Sequence, residues 1–262
     1  MPTLITLLTD FGTADGYVGE VKGVIVSRAP GAMVVDISHD VRAQDVEGAR
    51  LALARYWRRF PRGTVHLVVV DPGVGSPRAA IAVASDGRFL VGPDNGVLSP
   101  ALLARDARVV ALPLPASASA TFHGRDVFAP AAALIATGVA LDELGAPHES
   151  PIIRRTPEAR RLGDGLVAGE VIAVDRFGNL ITNLVAMNGG TVDVASRSLV
   201  VRRAYAEVAR GQLTAVVGSL GFVEIAVRDG SAATELGVER GAPVLLHPPP
   251  VAPVSRVAAP RP

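Results

Sequence analysis

The chain has 262 residues, 49% of them hydrophobic, so it is long enough to bury a substantial core in one large domain or two modest ones. Its 26 basic and 25 acidic residues leave a formal charge of +1 and form no basic tract, which argues against a nucleic-acid partner. Cysteine is absent, so disulfides and thiolate metal sites are excluded. The five histidines are scattered and do not have the spacing of metal ligands. These numbers predict a globular protein without a metal site.

The amino-terminal segment MPTLITLLTDFG is apolar, but it has the features of neither a signal peptide nor a membrane span. It lacks a basic start and a small-residue cleavage site, and Asp10 and Gly12 interrupt it too early for a membrane helix. We therefore expect no membrane partner and a cytoplasmic location.

Short apolar runs alternate with amphipathic stretches through residue 150. The pattern predicts strands at Leu4–Leu8, Met33–Asp36, Val65–Val70, Ala80–Ala84 and Val109–Leu112, and helices at Gly16–Ala29, Ala43–Arg59 and Phe128–Thr137. Apolar strands that alternate with helices are typical of a parallel sheet covered on both faces. Residues 1–150 are therefore predicted to form a Rossmann-like α/β/α domain with a mostly parallel sheet.

The pattern changes in the second half of the chain. Residues 151–164 contain prolines and few apolar positions, and they are predicted to form a linker. From residue 165 to 248, short alternating segments separated by glycine and asparagine indicate a small antiparallel β-barrel or sandwich. The proline-rich tail, residues 249–262, has too little apolar surface to bury and is predicted to be disordered.

Loops beyond the carboxyl ends of parallel strands are where α/β sheets bind ligands. Asp10 and Asp71 come just after predicted strands and Asp36 ends one, so this edge of the sheet is the expected place for a site. After Val70 a run of valines gives way to DPGVGSPR, residues 71–78, which contains a carboxylate, two glycines, two prolines and an arginine. Such an abrupt change of composition indicates either a tight turn or a site.

Three interpretations of DPGVGSPR compete. A phosphate cradle is disfavoured, because neither G-x-G-x-x-G nor G-x-x-x-x-G-K-[ST] is present and Lys22 is the only lysine. Asp71-Pro72-Gly73 by itself is typical of a turn. Arg78 is placed to fold back toward the Asp71 carboxylate, and that pair would serve either as a structural brace or as part of a site. The residues alone leave both possibilities open.

Three further stretches are interpreted from their residues alone. In TFHGRDVFAP, residues 121–130, His123 lies on a predicted loop, where it either bonds to a neighbouring carbonyl or faces a ligand. VDRFGNLITN, residues 174–183, is typical of a hairpin with its reversal at Phe177-Gly178-Asn179. SHD, residues 38–40, is interpreted as a polar turn.

Together and in this order, seven motifs resemble the S-adenosyl-L-methionine (SAM) hydroxide adenosyltransferases, also called SAM hydrolases, which are related to the fluorinase and chlorinase. The motifs are TDFG, DISHDV, GTVHLVVVDPGVGSPR, GPDNGVLSP, TFHGRDVFAP, DRFGNLITN and GSLGFVEIAV. The resemblance runs from residue 3 to about residue 247, nearly the whole chain except its tail.

The resemblance implies an enzyme that hydrolyses SAM: water attacks C5′ of the ribose, and the products are adenosine and L-methionine. The sulfonium departs as a neutral thioether, so SAM is implied as the substrate and no cofactor or metal is implied. The water must be held in line, about 3 Å from the carbon, and must lose a proton as it bonds. The family's water-handling residues fall on Asp71, Arg78 and His123, and the sequence leaves open whether Asp71 or His123 takes the proton.

The resemblance also assigns substrate-binding positions in both halves of the chain. Asp10 is expected to bind the ribose diol, since a carboxylate offers two acceptor oxygens to two hydroxyl donors. The other expected contacts are of Asp175 with the methionine ammonium, of Phe177 and Asn179 with adenine, of Ser219 with the methionine carboxylate, and of Glu224 and the backbone around Val227 with adenosine.

Family members are trimers whose active sites form between the N-terminal domain of one subunit and the C-terminal domain of its neighbour, so a homotrimer is implied. Two alternatives to the hydrolase remain. A SAM-dependent halogenase, using chloride or fluoride, is opposed by the absence of an extra loop between DPGVGS and TFHG. It is also opposed by Gly124, where the halogenases have a small hydroxyl residue. A non-catalytic sensor of adenosine or SAM is left open by the sequence.

Overall fold

The computed structural model describes residues 3–163, 165–187 and 189–249. The tail that the sequence predicts to be disordered, residues 249–262, lies outside the described residues apart from its first position. The chain forms two compact units that divide between Arg155 and Thr156. This division falls within residues 151–164, the segment proposed as a linker.

The N-terminal unit is a sheet with helices between several of its strands. The strands are β1 (Leu4–Thr9), β2 (Met33–Ser38), β3 (Val65–Val69), β4 (Ala80–Ser85), β5 (Arg88–Pro93), β6 (Arg108–Leu112) and β7 (Ala146–Pro147). The α-helices are α1 (Tyr17–Arg28), α2 (Val46–Tyr56), α3 (Ser99–Leu102) and α4 (Ala129–Ala136). Short 3-10 helices cover Trp57–Arg59 and Leu141–Glu143, and a π-helix covers Gly124–Phe128.

The strand order in this sheet is β2-β1-β3-β5-β4-β6-β7. Strands β2, β1, β3 and β5 are parallel, and β4, β6 and β7 continue the sheet in antiparallel pairs. Helices α1 and α4 pack on one face, where Ile25 and Phe128 are fully buried. Helices α2 and α3 pack on the other face, around Leu53 and Trp57. The predicted α/β fold with parallel strands is confirmed.

The sequence interpretation missed strand β5, which lies between β3 and β4. A signal was present: Asp86 and Gly87 both have positive φ, 48° and 67°, and Asp-Gly between apolar runs is typical of a tight β-hairpin turn. The turn joins β4 to β5 as an antiparallel pair. Because β5 also pairs with β3, its carboxyl end lies beside that of the strand leading to Asp71.

His66 on β3 is fully buried. Its Nδ1 lies 2.8 Å from Oγ1 of Thr6, and its ring packs edge-on against the rings of Tyr56 and Phe60. Burial, with a further contribution from Arg88, lowers the pKa of His66 from its usual 6.5 to about 4. The unfolded chain therefore binds this proton more readily than the folded chain, so stability is lost as the pH falls from 6.5 to 4.

We expect His66 to cost the wild-type protein about 3 kcal/mol of folding free energy across this pH range. His66→Asn cannot take up the proton and should lack this part of the pH dependence, whatever its stability at pH 7. Urea unfolding followed by the fluorescence of Trp57, the single tryptophan, measures the N-terminal unit. Equal slopes of stability against pH for the two proteins between pH 4 and 6.5 would contradict the prediction.

The C-terminal unit is a closed β-barrel. Its strands are β8 (Arg160–Arg161), β9 (Val167–Val174), β10 (Leu180–Thr182), β11 (Thr191–Val194), β12 (Arg197–Arg202), β13 (Leu213–Val217), β14 (Val223–Val227) and β15 (Pro243–His247), and helix α5 (Ala232–Leu236) follows β14. The barrel closes in the order β9-β10-β14-β13-β12-β11-β15, because the first half of β9 pairs with β15 and its second half with β10.

The barrel differs in two details from the sequence interpretation. Strands β12 and β13 are parallel, whereas the other neighbouring pairs are antiparallel. Strand β8 lies in the segment proposed as a linker and pairs with the start of β9. The sequence indicates a barrel or a sandwich, and the barrel forms, because β9 pairs with both β10 and β15 and closes the ring.

Candidate active site

A cavity of about 200 Å³ lies at the expected edge of the N-terminal sheet. It is lined by the loops that follow β1 and β3, by the loop before α2 and by the residues that lead into the π-helix. The lining residues are Asp10, Phe11, Gln44, Val69, Asp71, Pro72, Val74, Thr121, Phe122, His123 and Gly124. Three of the four site residues predicted in this unit thus line the cavity, and the fourth, Arg78, bonds to two of them.

Arg78 joins Asp71 and His123 into one cluster. Its Nε donates to Oδ1 of Asp71 at 2.9 Å, and its Nη2 donates to Oδ2 of the same carboxylate. That Nη2 also lies 2.9 Å from Nδ1 of His123. The side chains of Asp71 and Arg78 are only 5% and 8% exposed, so this is a buried, two-pronged ion pair. The prediction that Arg78 folds back across the turn is confirmed.

His123 immediately precedes the π-helix and bonds to Arg78. Because a guanidinium group only donates hydrogen bonds, we assign Nδ1 of His123 as the acceptor and place the ring hydrogen on Nε2. Burial lowers the pKa of His123 below its usual 6.5, and the positive charge of Arg78 lowers it further. The imidazole is therefore neutral at pH 7 and presents an Nε2–H donor.

Local packing explains why the loop after β3 can reach His123. Gly75 has a φ of 76°, and a Cβ at this position would lie only 2.6 Å from the carbonyl oxygen of Ala120. Glycine therefore allows the loop to approach the backbone that leads to His123. Phe128 lies beneath Arg78, with the guanidinium carbon 5.3 Å from the ring centre.

Asp10 follows β1, and its Oδ2 accepts the backbone N–H of Gln44 at 2.8 Å. Gln44 has a φ of 66°, in the left-handed region that a non-glycine side chain rarely occupies. Such strain is commonly found at functional sites. The sequence interpretation missed Gln44, because no residue pattern marks this backbone conformation; the nearest signal is Asp45, which caps helix α2.

The SHD stretch does more than form a polar turn. His39 is buried, with Nδ1 2.8 Å from Oγ1 of Thr9 and Nε2 3.1 Å from Oδ1 of Asp36. Its carbonyl oxygen accepts the N–H of Gly12 at 2.8 Å. His39 therefore holds both ends of the short segment that contains Asp10.

In the C-terminal unit, Asp175 and Asn179 belong to one turn between β9 and β10. Oδ1 of Asp175 accepts the N–H groups of Phe177 and Asn179, both at 2.9 Å, and Oδ2 accepts Nδ2 of Asn179 at 3.0 Å. Gly178 completes the reversal with a φ of 80°. The predicted hairpin is confirmed, and Phe177 within it is 75% exposed.

The remaining predicted residues of this unit lie on or beside strand β14. Ser219 is exposed in the turn between β13 and β14. Glu224 is buried, and its Oε2 accepts the hydroxyl of Tyr205 at 2.7 Å. Val227 is buried in the barrel core and pairs with Leu213. The barrel thus presents a polar turn at Asp175 and a buried carboxylate at Glu224.

Across residues 3–163, 165–187 and 189–249, no three His, Asp or Glu side chains are grouped so as to hold a metal ion. In that same portion of the chain, every helix is too short or too polar to cross a membrane.

An α/β unit with a buried Asp–Arg–His cluster beside a cavity, followed by a β-barrel with polar turns, is typical of a two-domain enzyme of small-molecule chemistry. Two family models match the chain: the SAM hydroxide adenosyltransferase N-terminal domain over residues 5–145 and the C-terminal domain over residues 169–245. The chain belongs to the SAM hydroxide adenosyltransferase family.

The names of similar proteins are consistent with this family assignment. A protein of Thermus thermophilus named (R)-S-adenosyl-L-methionine hydrolase is 44% identical over 92% of this chain and 98% of its own. One of the same name from Salinispora tropica is 41% identical over 90% of this chain and 95% of its own. A fluorinase of an Actinoplanes species is more distant, 27% identical over 69% of this chain and 71% of its own.

Solved structures show the same fold. The crystal structure of an uncharacterized conserved protein from Thermotoga maritima has a TM-score of 0.83 and 34% identity, covering 92% of this chain and 99% of that one. A conserved hypothetical protein from Thermus thermophilus has a TM-score of 0.80 and 40% identity, covering 94% of this chain and all of that one.

Proposed function

We propose that this chain is a SAM hydrolase that converts SAM and water into adenosine and L-methionine. Relatives 37–44% identical carry the name of that activity. The observation that carries the proposal is the buried cluster in which Arg78 bonds to both Asp71 and His123 beside the cavity. This cluster offers a carboxylate acceptor and an imidazole donor, the two groups needed to orient a water molecule.

Attack of the water oxygen on C5′ forms a C–O bond and breaks the C–S bond, and the C–S electron pair leaves with the methionine sulfur. A sulfonium leaves as a neutral thioether, so the reaction as proposed uses no cofactor. The difficult part is to hold the water in line and to remove its proton as it bonds.

The hydrogen bonds favour Asp71 as the group that receives this proton. Nδ1 of His123 is occupied by Arg78, and its Nε2 carries the ring hydrogen, so the imidazole donates to the water oxygen. Each carboxylate oxygen of Asp71 accepts one bond from Arg78 and retains a second lone pair for the water. Arg78 therefore orients both partners of the water.

We propose the substrate contacts from the resemblance, residue by residue. Asp10 lines the same cavity and would bind the ribose diol there. In the barrel, Asp175 would bind the methionine ammonium, while Phe177 and Asn179 would contact adenine. Ser219 would bind the methionine carboxylate, and Glu224 with the backbone of Val227 would lie near adenosine.

The geometry at Gly124 supports water rather than halide as the nucleophile. A Cβ at this position would lie 3.1 Å from Cζ of Phe11 and 3.3 Å from Cε2 of Phe122. A hydroxyl residue, such as the halogenases have here, would therefore require those rings to move. Glycine at position 124 therefore suits the observed packing of Phe11 and Phe122 beside the cavity.

The test is to incubate the purified full-length chain with SAM in ¹⁸O-labelled water and to separate the products by chromatography. We expect adenosine and methionine in equal amounts, with the label in the 5′-hydroxyl group, at a rate unaffected by chloride or fluoride. A 5′-halogenated adenosine would instead support the halogenase. SAM binding without any product would support the sensor.

We also propose that the chain acts as a homotrimer in the cytoplasm. The resemblance supports a trimer with intersubunit sites. Phe177, which is proposed to contact adenine, is exposed in the single chain, as expected of a residue that is covered by a ligand or a neighbouring subunit. Sedimentation velocity should give three times the chain mass of 27.0 kDa. Full activity in a strictly monomeric sample would contradict this assembly.

A further inference from the structure

The motif GPDNG, residues 92–96, has no part in the reaction as described so far. It begins at the carboxyl end of β5, the strand that the sequence interpretation missed. Strand β5 is the parallel neighbour of β3, and β3 leads directly into Asp71. The motif therefore lies beside the loop that carries both members of the ion pair.

The side chain of Asn95 is bonded at both of its polar atoms. Its Nδ2 donates to the carbonyl oxygen of Val70 at 2.9 Å, and Val70 is the residue immediately before Asp71. Its Oδ1 accepts the N–H of Val97 at 3.1 Å. The bond from Val97 orients the amide of Asn95, and the bond to Val70 holds the start of the loop 71–78.

The residue before it holds the other end of the loop. The backbone N–H of Asp94 donates to the carbonyl oxygen of Ala79 at 2.9 Å, and Ala79 immediately follows Arg78. Strands β3 and β5 can approach closely because residue 92 is glycine: a Cβ there would lie only 2.4 Å from the carbonyl oxygen of Val68. Two consecutive residues of one turn therefore bond to both ends of the loop 71–78.

This turn is itself anchored on its far side. The Asp94 carboxylate is buried and accepts the N–H of Ile152 at 2.8 Å and Nε2 of His148 at 3.0 Å. The carbonyl oxygen of Asn95 accepts Nε of Arg154 at 2.8 Å. Bonds within the loop, by contrast, are local: Val74 to Asp71 and Ser76 to Gly73.

We propose that Asn95 is a positioning residue for the Asp71–Arg78 pair, acting through the backbone of Val70. This inference rests on the proposed hydrolase function, because its consequence is the alignment of the attacking water. A displacement of about 1 Å at a reacting group can cost on the order of 10²-fold in rate. Release of the Val70 carbonyl should therefore lower kcat while leaving the residues that bind SAM in place.

The test compares Asn95→Ala and Asn95→Asp with the wild-type protein. Asn95→Asp keeps the size of the side chain and the acceptor for Val97, but it removes the donor to Val70. For both variants we expect kcat to fall about tenfold or more, with KM for SAM changed by no more than about twofold. A residue that only filled space would tolerate Asn95→Asp.

A second readout is the pH profile of Asn95→Asp. Protonation of the introduced carboxyl group restores an O–H donor toward Val70, so its kcat relative to wild type should rise as the pH falls. The matched control is Ser85→Ala, which removes a buried side-chain bond to the Ala101 carbonyl at the opposite end of β4. We expect Ser85→Ala to keep the wild-type kcat.

These outcomes test the positioning role of Asn95 separately from the proposed hydrolase function. Wild-type turnover with an undiminished kcat in Asn95→Ala and Asn95→Asp would overturn the positioning role alone. An equal loss in Ser85→Ala would also overturn it, because the effect would then be general destabilisation. Absence of SAM turnover in the wild-type chain would overturn the proposed function and this inference with it.

Discussion

Asp71→Asn is expected to lower kcat for SAM hydrolysis by about 10²–10⁴-fold, the usual contribution of a positioned general base. The amide has the size of the carboxylate but cannot take the proton of the water. Its NH₂ group would also face the guanidinium of Arg78, which donates to both oxygens in the native pair. KM for SAM should change by no more than about threefold, because this change removes an interaction made in the transition state.

The matched control is Asp86→Asn. Asp86 is also paired with an arginine, with Oδ2 3.0 Å from Nη1 of Arg88, but it lies in the turn at the opposite end of β4 and β5. Its φ of 48° is one that asparagine readily adopts, so the substitution should be tolerated. Steady-state kinetics should show wild-type kcat for the control. Wild-type kcat in Asp71→Asn would remove Asp71 from the mechanism.

Arg78→Gln is expected to destabilise the N-terminal unit by about 3–5 kcal/mol, the usual cost of removing one partner from a buried ion pair. Asp71 is only 5% exposed and would be left as an uncompensated charge. The bond of Nη2 to His123 and the bond of Nη1 to the carbonyl of Ala79 would be lost as well. Turnover should fall with stability, since both groups proposed to contact the water lose their hydrogen bonds to Arg78.

The double variant Asp71→Asn/Arg78→Gln distinguishes the cost of leaving a buried charge unpaired from the cost of losing the hydrogen bonds of Arg78. It removes both charges, so it should recover much of the stability lost in Arg78→Gln while remaining inactive. Urea unfolding of the four proteins of this cycle, followed by the fluorescence of Trp57, measures the coupling. A double variant no more stable than Arg78→Gln would show that the ion pair is not the source of the effect.

The fold was largely predictable from the sequence, because hydrophobic period and glycine placement are local properties. The predicted strands and helices of the N-terminal unit form with ends displaced by up to three residues; for example, the stretch Ala43–Arg59 contains α2 at Val46–Tyr56 and a 3-10 turn at Trp57–Arg59. Strand β5 was missed although Asp86-Gly87 marks its hairpin. The parallel pairing of β12 with β13 departs from the antiparallel barrel that the alternating segments predict.

The candidate site was predictable only in part. Arg78 lies seven residues after Asp71, so a turn of the right kind brings them together, and the sequence contains the glycines and prolines of that turn. The contact between Arg78 and His123 spans 45 residues, and no spacing rule predicts it. The role of Gln44 depends on a left-handed backbone conformation, which the residue type disfavours and only the surrounding structure imposes.

By itself the sequence determined the two-part architecture and the edge of the sheet where polar residues gather, because these follow from hydrophobic periodicity. The assignment of Asp71, Arg78 and His123 to water handling came only from the resemblance of the motifs to a family. Only the tertiary structure decided how these three side chains are bonded to one another. It placed one guanidinium between a carboxylate and an imidazole, and thereby set which ring nitrogen of His123 accepts and which donates. It also brought Asn95 against Val70, since β5 inserts beside β3. Hydrogen-bond direction and burial depend on contacts with residues distant in the chain, and those contacts form only when the chain folds.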